Sequence, residues 1–104
     1  MVTRRDDAKS ELQIKQDVYA YVTGELRRGI ESNIVRHGKI GFLMCAENIA
    51  YCATEYLGSQ FQEVAIEAIN DVVQEYVSAG WTVSCEINKC SSVPLGHKIL
   101  LKFR

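Results

Sequence analysis

The sequence predicts a small α+β domain, three helices packed on one face of a mainly antiparallel sheet, in the order α-β-α-α-β-β with a C-terminal hairpin. Three observations carry that expectation. Apolar residues recur at helical spacing over 7–33, 45–57 and 59–79; strict two-residue alternation takes over at 81–88; and it returns at 97–104. A chain of 104 residues and 11.7 kDa, 47% hydrophobic and 24% charged, suits one domain over residues 1–104, with 1–6 read as a flexible tail.

In the first helix Leu12, Val18, Tyr19, Val22, Leu26 and Ile30 fall on one side of a 3.6-residue wheel. Gly24 and Gly29 weaken it by about 1 kcal/mol each relative to Ala, so it needs tertiary support. Ile14 and Tyr21 lie off that stripe, seven residues apart, and form a candidate oligomer contact. His37-Gly38 reads as the helix stop. Residues 39–44 then read as a short strand with Ile40 and Phe42 on one face, and a continuous helix through Gly38 and Gly41 is the competing reading.

The second helix, 45–57, places Cys45, Ile49, Cys52, Ala53 and Tyr56 on one face and ends at Gly58. Ser59 and Gln62 match a capping box that opens the third helix. Apolar residues from Phe61 to Val77 occupy well over half of its wheel, which makes it the central core element, with Ile69 buried. After Gly80, Trp81, Val83, Cys85 and Ile87 alternate with Thr82, Ser84, Glu86 and Asn88. A loop at 90–96 holds the single Pro. Ile99, Leu101 and Phe103 then alternate with Lys98, Lys102 and Arg104.

Charge is segregated along the chain. Residues 1–39 carry +2, residues 40–88 carry −7 with no Lys or Arg, and residues 89–104 carry +4, for a net −1. The acidic row Glu63, Glu67, Asp71 and Glu75 is the least ordinary feature, because like charges four apart cost a helix about 0.2–0.5 kcal/mol per pair. It reads as a solvated face, as the counterpart of Lys98, Lys102 and Arg104, or as an acidic docking face for a basic protein partner. Those three cations are a candidate basic edge. With no overall basic field, nucleic acid is not an expected partner.

The thiol spacings, seven residues for Cys45 to Cys52 and five for Cys85 to Cys90, miss the close pairs of structural zinc sites. Cys45, Cys52 and Cys85 fall on expected core faces, and Cys90 reads as the exposed thiol. All four are expected reduced and metal-free, with no cofactor. His37 and His97 border turns, and the sequence holds neither a nucleophile elbow nor a Gly-rich phosphate loop, so no catalytic role is expected. No apolar run approaches a membrane span, and the polar N-terminus lacks the apolar stretch of a signal peptide, so the expected location is the cytoplasm.

Three segments resemble a loose class of small bacteriophage-encoded proteins: Ile30-Glu31-Ser32-Asn33-Ile34-Val35-Arg36-His37-Gly38, Val77-Ser78-Ala79-Gly80-Trp81-Thr82-Val83 and Ile99-Leu100-Leu101-Lys102-Phe103. The helix at 45–57 departs from that shorter pattern. The resemblance implies a viral origin, a virion-component or host-interaction role and a host-cytoplasmic setting; it carries no functional residue. Two functions stand in front. One is a non-enzymatic interaction protein that self-associates, with a dimer favoured, and binds another macromolecule. The other is a small-ligand or nucleotide-binding domain with its pocket at a subunit interface. The dimer expectation rests on the final strand lying at an open sheet edge unless 39–44 covers it.

Overall fold

A computed structural model of the chain describes residues 2–89 and 97–104. The elements are α1 (Glu11–His37), β1 (Phe42–Cys45), α2 (Glu47–Thr54), α3 (Ser59–Ser78), β2 (Val83–Lys89) and β3 (His97–Phe103), with single 3-10 turns at Arg5–Asp7 and Gly38–Ile40. Fold class and element order are those the periodicity predicts. The expected loop at 90–96 and its Cys90 lie outside the described residues.

The helix boundaries follow local chemistry. Ser10 caps α1: its hydroxyl accepts from the Gln13 N–H, and the Gln13 side chain accepts from the Ser10 N–H at 2.7 Å. The capping box expected at Ser59 is not formed. Gly58 already holds the extended N-cap conformation, which leaves Ser59 inside the first turn and its hydroxyl out of position. Gly38 stops α1 as expected, at φ 59°. Ile40 belongs to the 3-10 turn rather than to a strand and is 91% exposed.

The strand order is β1-β3-β2, and both pairings are antiparallel. The final strand is therefore the centre of the sheet and not its edge. Phe103 sits opposite Phe42 on one side and Val83 on the other. Beyond the end of β1, the first turn of α2 continues the ladder: the Ala46 N–H donates to the Ile99 carbonyl at 2.9 Å, and the Ile99 N–H donates to the Glu47 carboxylate at 3.2 Å.

The core lies between one sheet face and the helices. Val22, Leu26 and Ile30 of α1, Ala65, Ile69 and Val72 of α3, and Ile99, Leu101 and Phe103 of β3 are fully buried or nearly so. Of the expected face, Ile49 and Ala53 pack half-buried against the core, but Cys52 and Tyr56 are exposed, Cys45 is an exposed residue of β1, and the fully covered positions are Ala46, Ala50 and Thr54. Small side chains let the helix backbone approach closely, and that approach, not hydrophobicity, selects the buried face. Leu12 is 64% exposed and Tyr19 lies at the surface with its hydroxyl on Asp71 of α3; α1 itself is about 40 Å long at 1.5 Å per residue. The molecule measures 52 × 29 × 21 Å accordingly.

Gly41 is the tightest point. At φ 88° and ψ 174° it occupies a region open essentially to Gly alone, and a Cβ there would stand 2.3 Å from the Phe103 carbonyl oxygen. Gly41→Ala should cost at least about 1–3 kcal/mol in a denaturant melt. A loss below about 0.5 kcal/mol would mean that β1 does not approach β3 as described.

Candidate functional site

Four surfaces contain the residues that the sequence singles out. The first is the seam between α1 and α3. Contacts Glu11–Gln60, Tyr19–Asp71 and Arg27–Glu75 rise together along both helices, so the helices run parallel. The Tyr19 hydroxyl donates to Asp71 at 2.7 Å, and Arg27 donates two bonds to Glu75, at 2.7 and 3.2 Å. Half of the acidic row is thus met by α1. Among the described residues Lys98, Lys102 and Arg104 form no ion pair with it, and Glu63 and Glu67 carry no hydrogen bond or ion pair.

The second surface is a shallow groove between α1 and α2. Ile14, Val18 and Tyr21 form one wall, Cys52, Ala53 and Leu57 the other, and Asp17 closes the rim. Ile14 and Tyr21 therefore do share a surface, and the exposed Cys52 and half-buried Ala53 and Leu57 complete it. Beside Leu57 stands Tyr56, 97% exposed and in the left-handed region at φ 65°. A non-Gly residue there costs roughly 1–2 kcal/mol, and a side chain in solvent returns none of it through packing.

The third surface is the uncovered sheet face. Lys98 and Lys102 stand on it, on the central strand, and Arg104 just past that strand's end, so the cations expected at an edge lie along the middle strand of a face. Across the strands Leu43 and Ser84 flank Lys102, Cys45 and Glu86 flank Leu100, and Asn88 lies opposite Lys98. At one end of the sheet a fourth feature, a depression, is lined by Lys39, Ala79, Gly80, Trp81 and Arg104. Its Trp81 belongs to an aromatic cluster missed in the sequence. Phe42 stacks on Phe103 at 4.7 Å, His37 on Phe42 at 6.1 Å, and Tyr76 and Trp81 meet Phe103 edge-on. His37, Phe42 and Trp81 adjoin the turn glycines Gly38, Gly41 and Gly80, which is the signal the sequence offers; nothing local marks Tyr76 or Phe103.

Cys45, Cys52 and Cys85 are outside any disulfide and lie on three different elements; only Cys85 is half-buried. Among the described residues no three His, Cys, Asp or Glu side chains converge as a metal site requires. Nor is any described helix long and apolar enough to cross a membrane. Comparison with family models, curated proteins and solved structures returns no match.

The hydrogen bond to Glu75 holds the Arg27 guanidinium more firmly charged, and the tyrosine and thiol shifts all favour the uncharged group. The hydrogen bond to Asp71, then burial and nearby negative charge, raise the Tyr19 phenol above its ordinary range. Glu55 raises Tyr51; burial, with Glu31, raises Tyr76; and burial raises the Cys85 thiol. Each raised pKa stabilises the fold below the group's unfolded pKa, and that contribution is lost as pH rises through the folded one. The melting temperature should therefore fall progressively above about pH 9–10, the range in which thiols and phenols ionise. A melting temperature that rises through that range in thermal melts would contradict these environments.

Proposed function

We propose that the chain is a non-enzymatic interaction protein that self-associates and docks a second macromolecule. The observation that carries this reading is the α1–α2 groove, where Ile14, Tyr21, Ala53 and Leu57 share one uncovered surface beside the solvent-facing Tyr56. Scattered apolar side chains are normal on any protein. A grouped set next to an aromatic held on a costly backbone conformation is what a contact surface needs. Glu63 and Glu67 leave an acidic stretch on α3 that suits a basic protein partner. A virion component or host-interaction factor of a bacteriophage fits this reading. Light scattering at tens of micromolar, in about 0.15 M salt where long-range charge effects are screened, should give about twice the 11.7 kDa chain mass. A mass of one chain would remove self-association.

A second reading is favoured by the depression at Trp81. Its aromatic wall between Lys39 and Arg104 suits a small anionic ligand such as a nucleotide. Thermal melts with a nucleotide panel decide it: bound ligand at 100 times its Kd would add about 2.7 kcal/mol, and unchanged melting with every member would remove this reading.

A further inference from the structure

The open edge of β2 is incomplete in two ways at once. Of the two outer strands it is the longer, seven residues against four in β1. Thr82 and Arg104 exchange both of their backbone hydrogen bonds, at 3.1 and 2.9 Å. Alternation in an antiparallel ladder then assigns the bonds to β3 to Ser84, Glu86 and Asn88. The N–H and C=O groups of Val83, Cys85 and Ile87 point outward, and among the described residues no strand pairs with them.

This strand is lightly protected, by Glu86 on its open face and Lys89 at its end. It holds no Pro, its register with β3 is unbroken from Val83 to Lys89, and its first inward-pointing charge is Lys89 at the very end. The side chains of the same three residues face the helices yet are poorly covered. Val83 and Cys85 are half-buried and Ile87 is 36% exposed, whereas Ile99 and Leu101 next to them are fully buried. The edge thus leaves both backbone groups and apolar side chains without partners.

We propose that β2 pairs antiparallel with β2 of a second copy, Cys85 opposite Cys85, so that two three-stranded sheets become one of six strands. The proposal rests on the self-association reading above but places that contact at the β2 edge, leaving the α1–α2 groove to the second macromolecule. The register follows from charge and length. Outward-pointing residues must face one another, which allows two-fold centres at Cys85, Glu86 or Ile87. A centre at Glu86 would place two carboxylates directly opposite, at about 4.5 Å between Cα atoms, and like charges there are destabilising. A centre at Ile87 places Cys85 against Lys89 and carries Val83 past the end of the partner strand. The centre at Cys85 pairs Val83 with Ile87 twice and Ser84 with Glu86 twice, all within the strand. Its two-fold axis runs through the sheet, so each contact is mirrored as a closed dimer requires. Both sets of helices then lie on the same side, and six apolar side chains form one floor between them.

Facing Cys85 residues in such a bonded pair would have Cα atoms about 5.5 Å apart, inside the roughly 4.4–6.8 Å range of disulfides. The test uses the full chain with Cys45→Ser, Cys52→Ser and Cys90→Ser, leaving Cys85 alone, under mild oxidation or with a short thiol-to-thiol crosslinker. We expect a covalent dimer, and none from the companion variant that retains only Cys52 in the α1–α2 groove. Ile87→Lys should give a one-chain mass by light scattering while keeping its circular dichroism and cooperative melt, since Ile87 is partly exposed. A two-chain mass with crosslinking at Cys52 and none at Cys85 would overturn the edge pairing and leave self-association standing. So would a dimer that persists in Ile87→Lys. A one-chain mass for the unmodified protein would overturn both.

Discussion

Both outer strands depend on β3, whose Phe103 is buried where the chain's elements converge. β1 is only four residues long and β2 turns an exposed edge to solvent, so neither would hold a place without the central strand. Around Phe103 gather Phe42 from β1, Tyr76 from α3 and Trp81 from the approach to β2. The geometry that admits β1 is the bare backbone of Gly41 against the Phe103 carbonyl. At its other end β3 is bonded by Ala46 and Glu47, which ties α2 to the sheet. Strand pairing, aromatic packing and the seating of α2 thus share one element.

The charge pattern is resolved by neighbours rather than by the far end of the chain. An all-acidic row on one helix repels itself, and the parallel α1 offsets part of that by presenting Tyr19 to Asp71 and Arg27 to Glu75. Both partners of the Arg27–Glu75 pair are about half exposed, so its contribution to stability is small. Its bidentate geometry matches the alignment of the two helices that their buried apolar residues set. Strand alternation turns the cations of β3 to the bare sheet face, away from the helices and the acidic row.

Folding covers one face of a three-stranded sheet and one stripe of each helix. Part of the remaining apolar surface is grouped in two places, the α1–α2 groove and β2, which the helices reach incompletely, while Val35, Ile40 and Leu43 are exposed singly elsewhere. Both places arise from the same mismatch. A helix of 27 residues and a hairpin of seven-residue strands outreach a second helix of only eight residues. The contact function proposed above draws on these two patches.

Much of the architecture was legible in the residues because it is governed by local rules. Period 3.6 through Ile69 and Val72 set α3 as a core helix, period 2 set the β2–β3 hairpin, and Gly38 marked the end of α1. Other features needed the folded chain. Ser10 and Ser59 both begin a Ser-x-x-Gln pattern, yet only Ser10 caps, because Gly58 takes the entry conformation ahead of Ser59. Hydrophobic periodicity over 45–57 pointed to Cys45, Cys52 and Tyr56, whereas Cys45 closes β1, Tyr56 lies past the end of α2, and close approach to the core selected Ala46, Ala50 and Thr54. Tyr19 and Arg27 meet carboxylates 52 and 48 residues away, and β1 reaches β3 across most of the chain. Periodicity records which side of an element is apolar, a property of neighbouring residues. Which strand takes the centre, and which charge meets which, is decided by shape and backbone pairing once distant elements touch.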